Sequence, residues 1–133
     1  MKIYAIVTGD RYAHQDDWSH VIATALADHD VTAVVHGDAR GIDAIAADVA
    51  GGMGVEVIAF PADWNKHGKG AGPIRNTQML DYLRDQVISG NAGIVLAFHP
   101  DISSSKGTKN MAGQAKRAGI QTIVYDGRNS AQY

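Results

Sequence analysis

Arg11, Arg40 and Arg75 stand in three separate Gly-containing stretches, "TGDRYAHQ", "HGDARGID" and "FPADWNKHGKGAGPIRN". A fourth stretch, "FHPDISSSKGT", supplies Lys106, with Lys109 just beyond it. Each follows a short apolar run and opens a helical pattern. Gly lets backbone amides come close to an anion, and a helix N-terminus favours negative charge. Lys66 and Lys69 bring the basic residues in or beside these loops to seven of the chain's twelve. Asp10, Asp38, Asp43, Asp63 and Asp101 are interleaved with them. Mixed cations and carboxylates suit a compact ligand with phosphate and ribose better than a long polyanion.

Each candidate also has a purely structural reading. Gly and Asp are common turn residues. Asp38 and Asp43 can cap the helix that follows them or complement its dipole. Arg75 is harder to explain that way. Pro73 suits the first position of a helix, which puts Arg75 in the first turn, where a cation opposes the macrodipole. Arg40 stands similarly at its helix entry. Such local conflicts are expected at functional sites; a salt bridge to a loop Asp is the structural alternative. Trp64 can stack on a base or anchor its loop on the core.

The elements that must position these loops follow from periodicity. Five β-rich apolar runs recur, Ile3–Thr8, Val31–His36, Val55–Phe60, Gly93–Phe98 and Gln121–Tyr125. The first four are mostly continuous rather than alternating, which suits strands covered on both faces of a parallel sheet. Between them, Trp18, Val21, Ile22, Ala25 and Leu26 repeat at helical spacing after an Asp16–Asp17 start. Ile42, Ile45, Ala46 and Val49 mark a second helix ending at Gly51–Gly52. A third runs from Pro73 with Leu80, Leu83 and Val87 on one face. A fourth follows Gly107 with Met111, Ala112 and Ala115, and stops at Gly119. The order predicts one α/β domain over residues 1–127: a Rossmann-like, doubly wound, mainly parallel five-stranded sheet with helices on both faces. Residues 128–133 read as a frayed C-terminal tail. Sheets of this kind bind ligands at the carboxyl ends of their strands, where the four loops fall.

Composition narrows the chemistry. The 133 residues hold no Cys, so a disulfide framework, thiolate metal site and Cys nucleophile are excluded, and a cytoplasmic location fits. No apolar run reaches the ~18 residues of a membrane span, and "MKIYAIVTGD" is punctuated too early for a signal peptide. A net charge of −2 gives no electrostatic footprint for wrapping nucleic acid. The first turn lacks GxGxxG and the chain lacks GxxxxGK[ST], which argues against dinucleotide-dehydrogenase and P-loop chemistry. The six His show no paired ligand spacing, so neither metal nor cofactor is expected. Ser103–Ser105 lack a nucleophile-elbow context and read as a flexible loop.

The set "VTGDR…VVHGDARGIDAIAA…FPADW…AGPIRNTQML…GIVLAF…GTKNMAGQAKRAGI" resembles the YspA/YpsA-related branch of the SLOG superfamily. That superfamily is Rossmann-like and includes the Lonely Guy phosphoribohydrolases and DprA. The resemblance spans roughly residues 3 to 125 and implies binding of a nucleotide or nucleotide derivative, ADP-ribose-like or cyclic. By motif it assigns ligand contacts to Thr8, Gly9 and Arg11, to Gly37, Arg40, Gly41 and Asp43, to Arg75 and Asn76, and to Gly107 and Thr108. Lonely Guy enzymes carry PGGxGTxxE with a catalytic Glu, where this chain has Met111. Hydrolysis of a nucleoside 5′-monophosphate to base and ribose 5-phosphate is therefore the alternative activity, requiring Asp43 or Asp101 to replace that Glu. DprA-like binding of single-stranded DNA is the third reading and fits the acidic balance least. The resemblance further implies a homodimer, and a phage source is compatible with it, which would make the location host cytoplasm.

Overall fold

The computed structural model describes all 133 residues, Met1–Tyr133. Strand β1 (Ile3–Gly9) leads through α1 (Gln15–Asp28) to β2 (Ala33–His36), then through α2 (Ile42–Gly52) to β3 (Glu56–Ala59). A short helix α3 (Trp64–His67) and one 3-10 turn precede the long α4 (Ala71–Ile88). Strand β4 (Ala92–Phe98), α5 (Gly107–Arg117), β5 (Thr122–Tyr125) and β6 (Ser130–Gln132) complete the chain. The sheet order is β3-β2-β1-β4-β5-β6, parallel throughout except for the antiparallel β5–β6 pair.

Two apolar layers sandwich the sheet because alternate strand residues face opposite ways. Ala5, Val7, Val34, Ile94, Leu96 and Phe98 pack beneath α1 and α2 with Trp18, Ile22 and Ile45. Tyr4, Ile6, Val35 and Val95 pack against α4 and α5 with Met79, Leu83 and Met111. The helices change face where the strand order reverses, between β1 and β4, as right-handed crossovers require. That reversal point lies at the pair Gly9↔Phe98. It is extended by a hydrogen bond from the Asp10 amide to the Phe98 carbonyl at 2.9 Å.

Four sequence-based expectations change. The sheet has six strands rather than five, because the segment read as a frayed tail returns as β6 along β5, with Ile123↔Gln132 and Tyr125↔Ser130 in register. A turn held by Asp126, whose carboxylate accepts the amides of Arg128 and Asn129, makes that reversal. Strand β3 is an edge with Glu56, Val57 and Ala59 exposed, rather than covered on both faces. Helix α4 starts at Ala71, so Pro73 is its third residue and Arg75 belongs to the second turn. Ser103 and Ser104 belong to a 3-10 turn rather than a flexible loop.

Candidate functional site

Four of the five buried polar residues, His36, Asp43, Asn76 and Thr108, lie at the carboxyl edge of the sheet or in the helices that leave it. The loop between β2 and α2 is knit by side chains on either side of it. His36 Nδ1 accepts the Asp38 amide at 2.9 Å, and Asp43 Oδ2 accepts the amides of Gly37 at 2.9 Å and Ala39 at 3.3 Å. Asp38 sits at φ +56°, a left-handed conformation that Asp tolerates better than most residues. Three successive amides of this loop are therefore used internally. The next two amides, of Arg40 and Gly41, make no hydrogen bond within the chain.

Arg75 reaches across from α4. Its Nη1 donates to the Gly37 carbonyl and its Nε to Asn76 Oδ1 at 3.0 Å. The expected alternative, a salt bridge to a loop Asp, does not form: the one Lys or Arg ion pair in the chain is Lys2–Glu56. Asn76 passes the linkage on, donating to Asn110 Oδ1 at 3.1 Å and the Gly107 carbonyl at 3.3 Å. One chain of hydrogen bonds thus runs from the β2 loop through α4 to the start of α5. There the Thr108 amide is capped by Ser105 Oγ at 3.1 Å, while the amides of Gly107 and Lys109 have no partner in the chain.

Four atoms of these residues make no hydrogen bond within the protein: His36 Nε2, Asp43 Oδ1, Arg75 Nη2 and Thr108 Oγ1. No buried side-chain nitrogen or oxygen is left unpartnered, so each of the four reaches solvent. Because Nδ1 of His36 accepts, Nε2 is the donor of the neutral ring. Burial lifts the Asp43 carboxyl above its usual range, despite the opposing amides of Ala39 and Gly37 and the nearby His36 and Arg75. Burial also lowers the Arg75 guanidinium from its ordinary value, with Asp43 and Asp38 opposing. Donors, an acceptor and a cation thus sit side by side in partly desolvated ground, suited to a polar ligand with both phosphate and hydroxyl groups.

The remaining candidates divide by what they touch. A Cβ on Gly9 would lie 2.2 Å from the Phe98 carbonyl oxygen, and one on Gly41, at φ +71°, 2.2 Å from that of Asp10. Both glycines let backbone segments close up at the strand edge. The Ile42 amide at the start of α2 donates to Asp10 O at 3.0 Å, joining the first and second loops. Thr8 is half-buried at the end of β1, and Arg11 and Arg40 are exposed, Arg11 lying 5.7 Å over the Tyr12 ring. Trp64, 60% exposed, opens α3 and belongs to neither apolar layer; its indole stands 3.6 Å from where a Cβ on Gly72 would lie. Asp101 is exposed and committed to its own turn, accepting the amide and hydroxyl of Ser103. Met111 is 0% exposed within the apolar layer, away from solvent altogether. His36 and Asn110 are site members that sequence reasoning missed. A strand-final His and an Asn in a helix's first turn carry no local signature; His36 braces its own loop, and Asn110 is reached by Asn76 from α4. No three His, Asp or Glu side chains converge on a common point for a metal.

The class this defines is an α/β protein with a mainly parallel sheet and a polar cluster where its strand order reverses. Residues 5–67, from β1 through α3, match the profile of the YspA, cpYpsA-related SLOG family. The chain is also 39% identical over 97 residues to the Gene 61 protein of Mycobacterium phage D29, covering 69% of this chain and 70% of that protein. It belongs to the YspA, cpYpsA-related SLOG family. No helix is long and apolar enough to cross a membrane.

Proposed function

We propose that this protein binds a nucleotide or nucleotide derivative, ADP-ribose-like or cyclic, at the carboxyl edge of its sheet. The observation that carries the reading is the set of solvent-reaching atoms on His36, Asp43, Arg75 and Thr108. Buried polar groups ordinarily complete their hydrogen bonds inside the protein. Four left open at one edge match a ligand that brings its own donors and acceptors. In this reading Arg75 Nη2 and the Gly107 and Lys109 amides take phosphate oxygens, Asp43 Oδ1 accepts from ribose hydroxyls, and Trp64 faces the base. Gly9, Gly37, Gly41 and Asn76 hold that geometry by close packing and hydrogen bonds, while Thr8, Arg11 and Arg40 line the rim. The Rossmann-like strand order supports the placement, since such sheets take ligands at the switch point.

The test is mass spectrometry of small molecules released when the purified protein is denatured, followed by thermal-shift titration with AMP, ADP-ribose and a cyclic dinucleotide. A released or stabilising nucleotide is expected. If none co-purifies and none of the three raises the melting temperature at millimolar concentration, the reading fails. Phosphoribohydrolysis is the second reading, favoured by Asp43 Oδ1 standing open beside Arg75. A carboxylate stabilises the oxocarbenium-like state of N-glycosidic cleavage. Release of free base from AMP, abolished by Asp43→Asn, would promote it.

A further inference from the structure

Charge is unevenly divided along this chain. Residues 102–125 contain Lys106, Lys109, Lys116 and Arg117 and no acidic residue, while the remainder holds eight basic against fourteen acidic residues. Lys106, Lys109, Gly113 and Arg117 recur at spacings of three and four and so share one helix face. It is the solvent face of α5, opposite the buried Met111, Ala112 and Ala115. Together with Ser103–Ser105 and Asn110 they line an open groove of about 540 Å³ that contains neither a hydrophobic residue nor a carboxylate. Gly113 forms part of its floor: a Cβ there would lie 3.2 Å from Arg117 Nη1, so the guanidinium folds back along the helix into the groove. None of these three cations is ion-paired. Like charges one turn apart repel, and Lys106 and Lys109 also oppose the dipole at the start of α5. No carboxylate pairs with Lys106 or Lys109 to offset these costs.

We propose that this groove binds a short chain of linked phosphates, the di- or triphosphate portion of a nucleotide whose sugar and base lie at the strand edge. The ammonium and guanidinium donors suit phosphate oxygens, and no hydrophobic side chain lines the groove for a base to stack on. From Lys106 to Arg117 the helix rises about 16 Å at ~1.5 Å per residue, more than a single phosphate occupies. The occupant is short because a long polyanion leaving either end would meet the net negative remainder of the surface. Asn110 makes the groove continuous with the first site, lining the one and accepting from Asn76 of the other. The identity of the occupant as part of a nucleotide rests on the function proposed above; the binding of linked phosphates does not.

Calorimetric titration of the full-length protein with inorganic orthophosphate, pyrophosphate and tripolyphosphate tests this. It is run at about 150 mM salt, where charges more than ~8 Å apart are screened. Affinity should rise with each added phosphate. Lys109→Ala and Arg117→Ala should each weaken tripolyphosphate binding about tenfold, the equivalent of ~1.4 kcal/mol. Lys116→Ala, on the same helix but outside the groove, should change it less than about twofold. Lys109→Gln, which keeps an unbranched side chain, should repeat the loss if it reflects binding rather than misfolding. Equal weak binding of all three anions, or equal losses at Lys109 and Lys116, would overturn the proposal in favour of unspecific charge attraction. So would a single-stranded oligonucleotide that binds more tightly than tripolyphosphate and is lost with Lys109→Ala. If the nucleotide reading fails instead, tripolyphosphate binding persists while AMP shows none and ADP-ribose binds no more tightly than pyrophosphate.

Discussion

The guanidinium of Arg75 occupies the space that a side chain on Gly37 would need. A Cβ at position 37 would lie 2.3 Å from Arg75 Nη1, the same nitrogen that donates to the Gly37 carbonyl. The two residues, 38 positions apart, define each other's conformation. The obstructing atoms are the far end of a flexible chain, so Arg75 can yield without moving backbone. Gly37→Ala should accordingly displace Arg75 and cost nucleotide affinity about tenfold, as losing a charge-assisted hydrogen bond would. The melting temperature should fall only slightly. Gly9→Ala and Gly41→Ala meet backbone oxygens instead, and each should destabilise by at least about 1–3 kcal/mol, the usual cost of overpacking. One melting series on the three variants separates these outcomes; equal losses of stability would refute the assignment of Gly37.

Arg75→Ala should weaken nucleotide binding about tenfold or more and also lower the melting temperature of the free protein. A cation in the first turn of α4 would have predicted a free protein left level or firmer. In the second turn, bonded to Gly37 and Asn76, it contributes two hydrogen bonds of about 0.5–1.5 kcal/mol each. Thermal-shift titration reads both quantities, and an unchanged or higher melting point would show those bonds to be unimportant.

Asp43 sets a pH dependence. A folded-state pKa raised above the unfolded value gives stability that is complete below the unfolded pKa and lost as pH rises through the folded one. Burial raises that of Asp43 from an ordinary value of 3.8. As pH falls from neutrality towards that ordinary value, the protein should therefore gain stability relative to Asp43→Asn. Binding of an anionic ligand should strengthen over the same window, and that part of the pH dependence should vanish in Asp43→Asn. Parallel pH-melting curves for the two proteins check the sign; an opposite slope would mean that the amides of Gly37 and Ala39 outweigh burial.

Met111→Glu should not create a hydrolase. The side chain at this position is fully buried in the apolar layer that also holds Tyr4, Ile6 and Leu83, and a fully buried Glu can have a pKa as high as about 8–9. Ionisation suppressed to that extent costs roughly 3–4 kcal/mol at neutral pH. The variant should melt well below the wild type, recover partly in acid, and release no free base from AMP by chromatography.

Trp64→Ala should leave the melting temperature nearly unchanged, since exposed positions shift stability by about 0.5 kcal/mol or less. If the base stacks there, purine nucleotide affinity falls at least fivefold, given about 1–3 kcal/mol per stacked base. Fluorescence gives a second readout: ligand should quench the exposed Trp64 while leaving the buried Trp18 untouched. Quenching that survives in Trp64→Ala would place the base elsewhere.

The five parallel strands, the helices between them and the loops at the carboxyl edge were legible in the sequence because their signals are local. Apolar runs such as Ile94–Phe98, helical spacing such as Trp18–Ile22–Leu26 and helix-ending glycines such as Gly51–Gly52 each lie within a few residues of one another. The resemblance carried by "HGDARGID" and "AGPIRN" added an expectation of which loop residues would meet a ligand. What only the tertiary structure decided was partnership across long separations. β6 forms because its backbone finds the open edge of β5, although Ser130–Gln132 has little apolar content of its own. Trp64–His67 is helical with Asp63 capping the Lys66 amide, and α4 begins at Ala71, ahead of Pro73. His36 and Asn110 enter the site, Gly9 and Gly41 become packing glycines, and Arg75 chooses a carbonyl over a carboxylate. Each of these depends on which atoms the closed sheet brings within about 3 Å, the reach of a hydrogen bond. Residue type and spacing along the chain do not specify that distance; the packing of helices on a twisted sheet does.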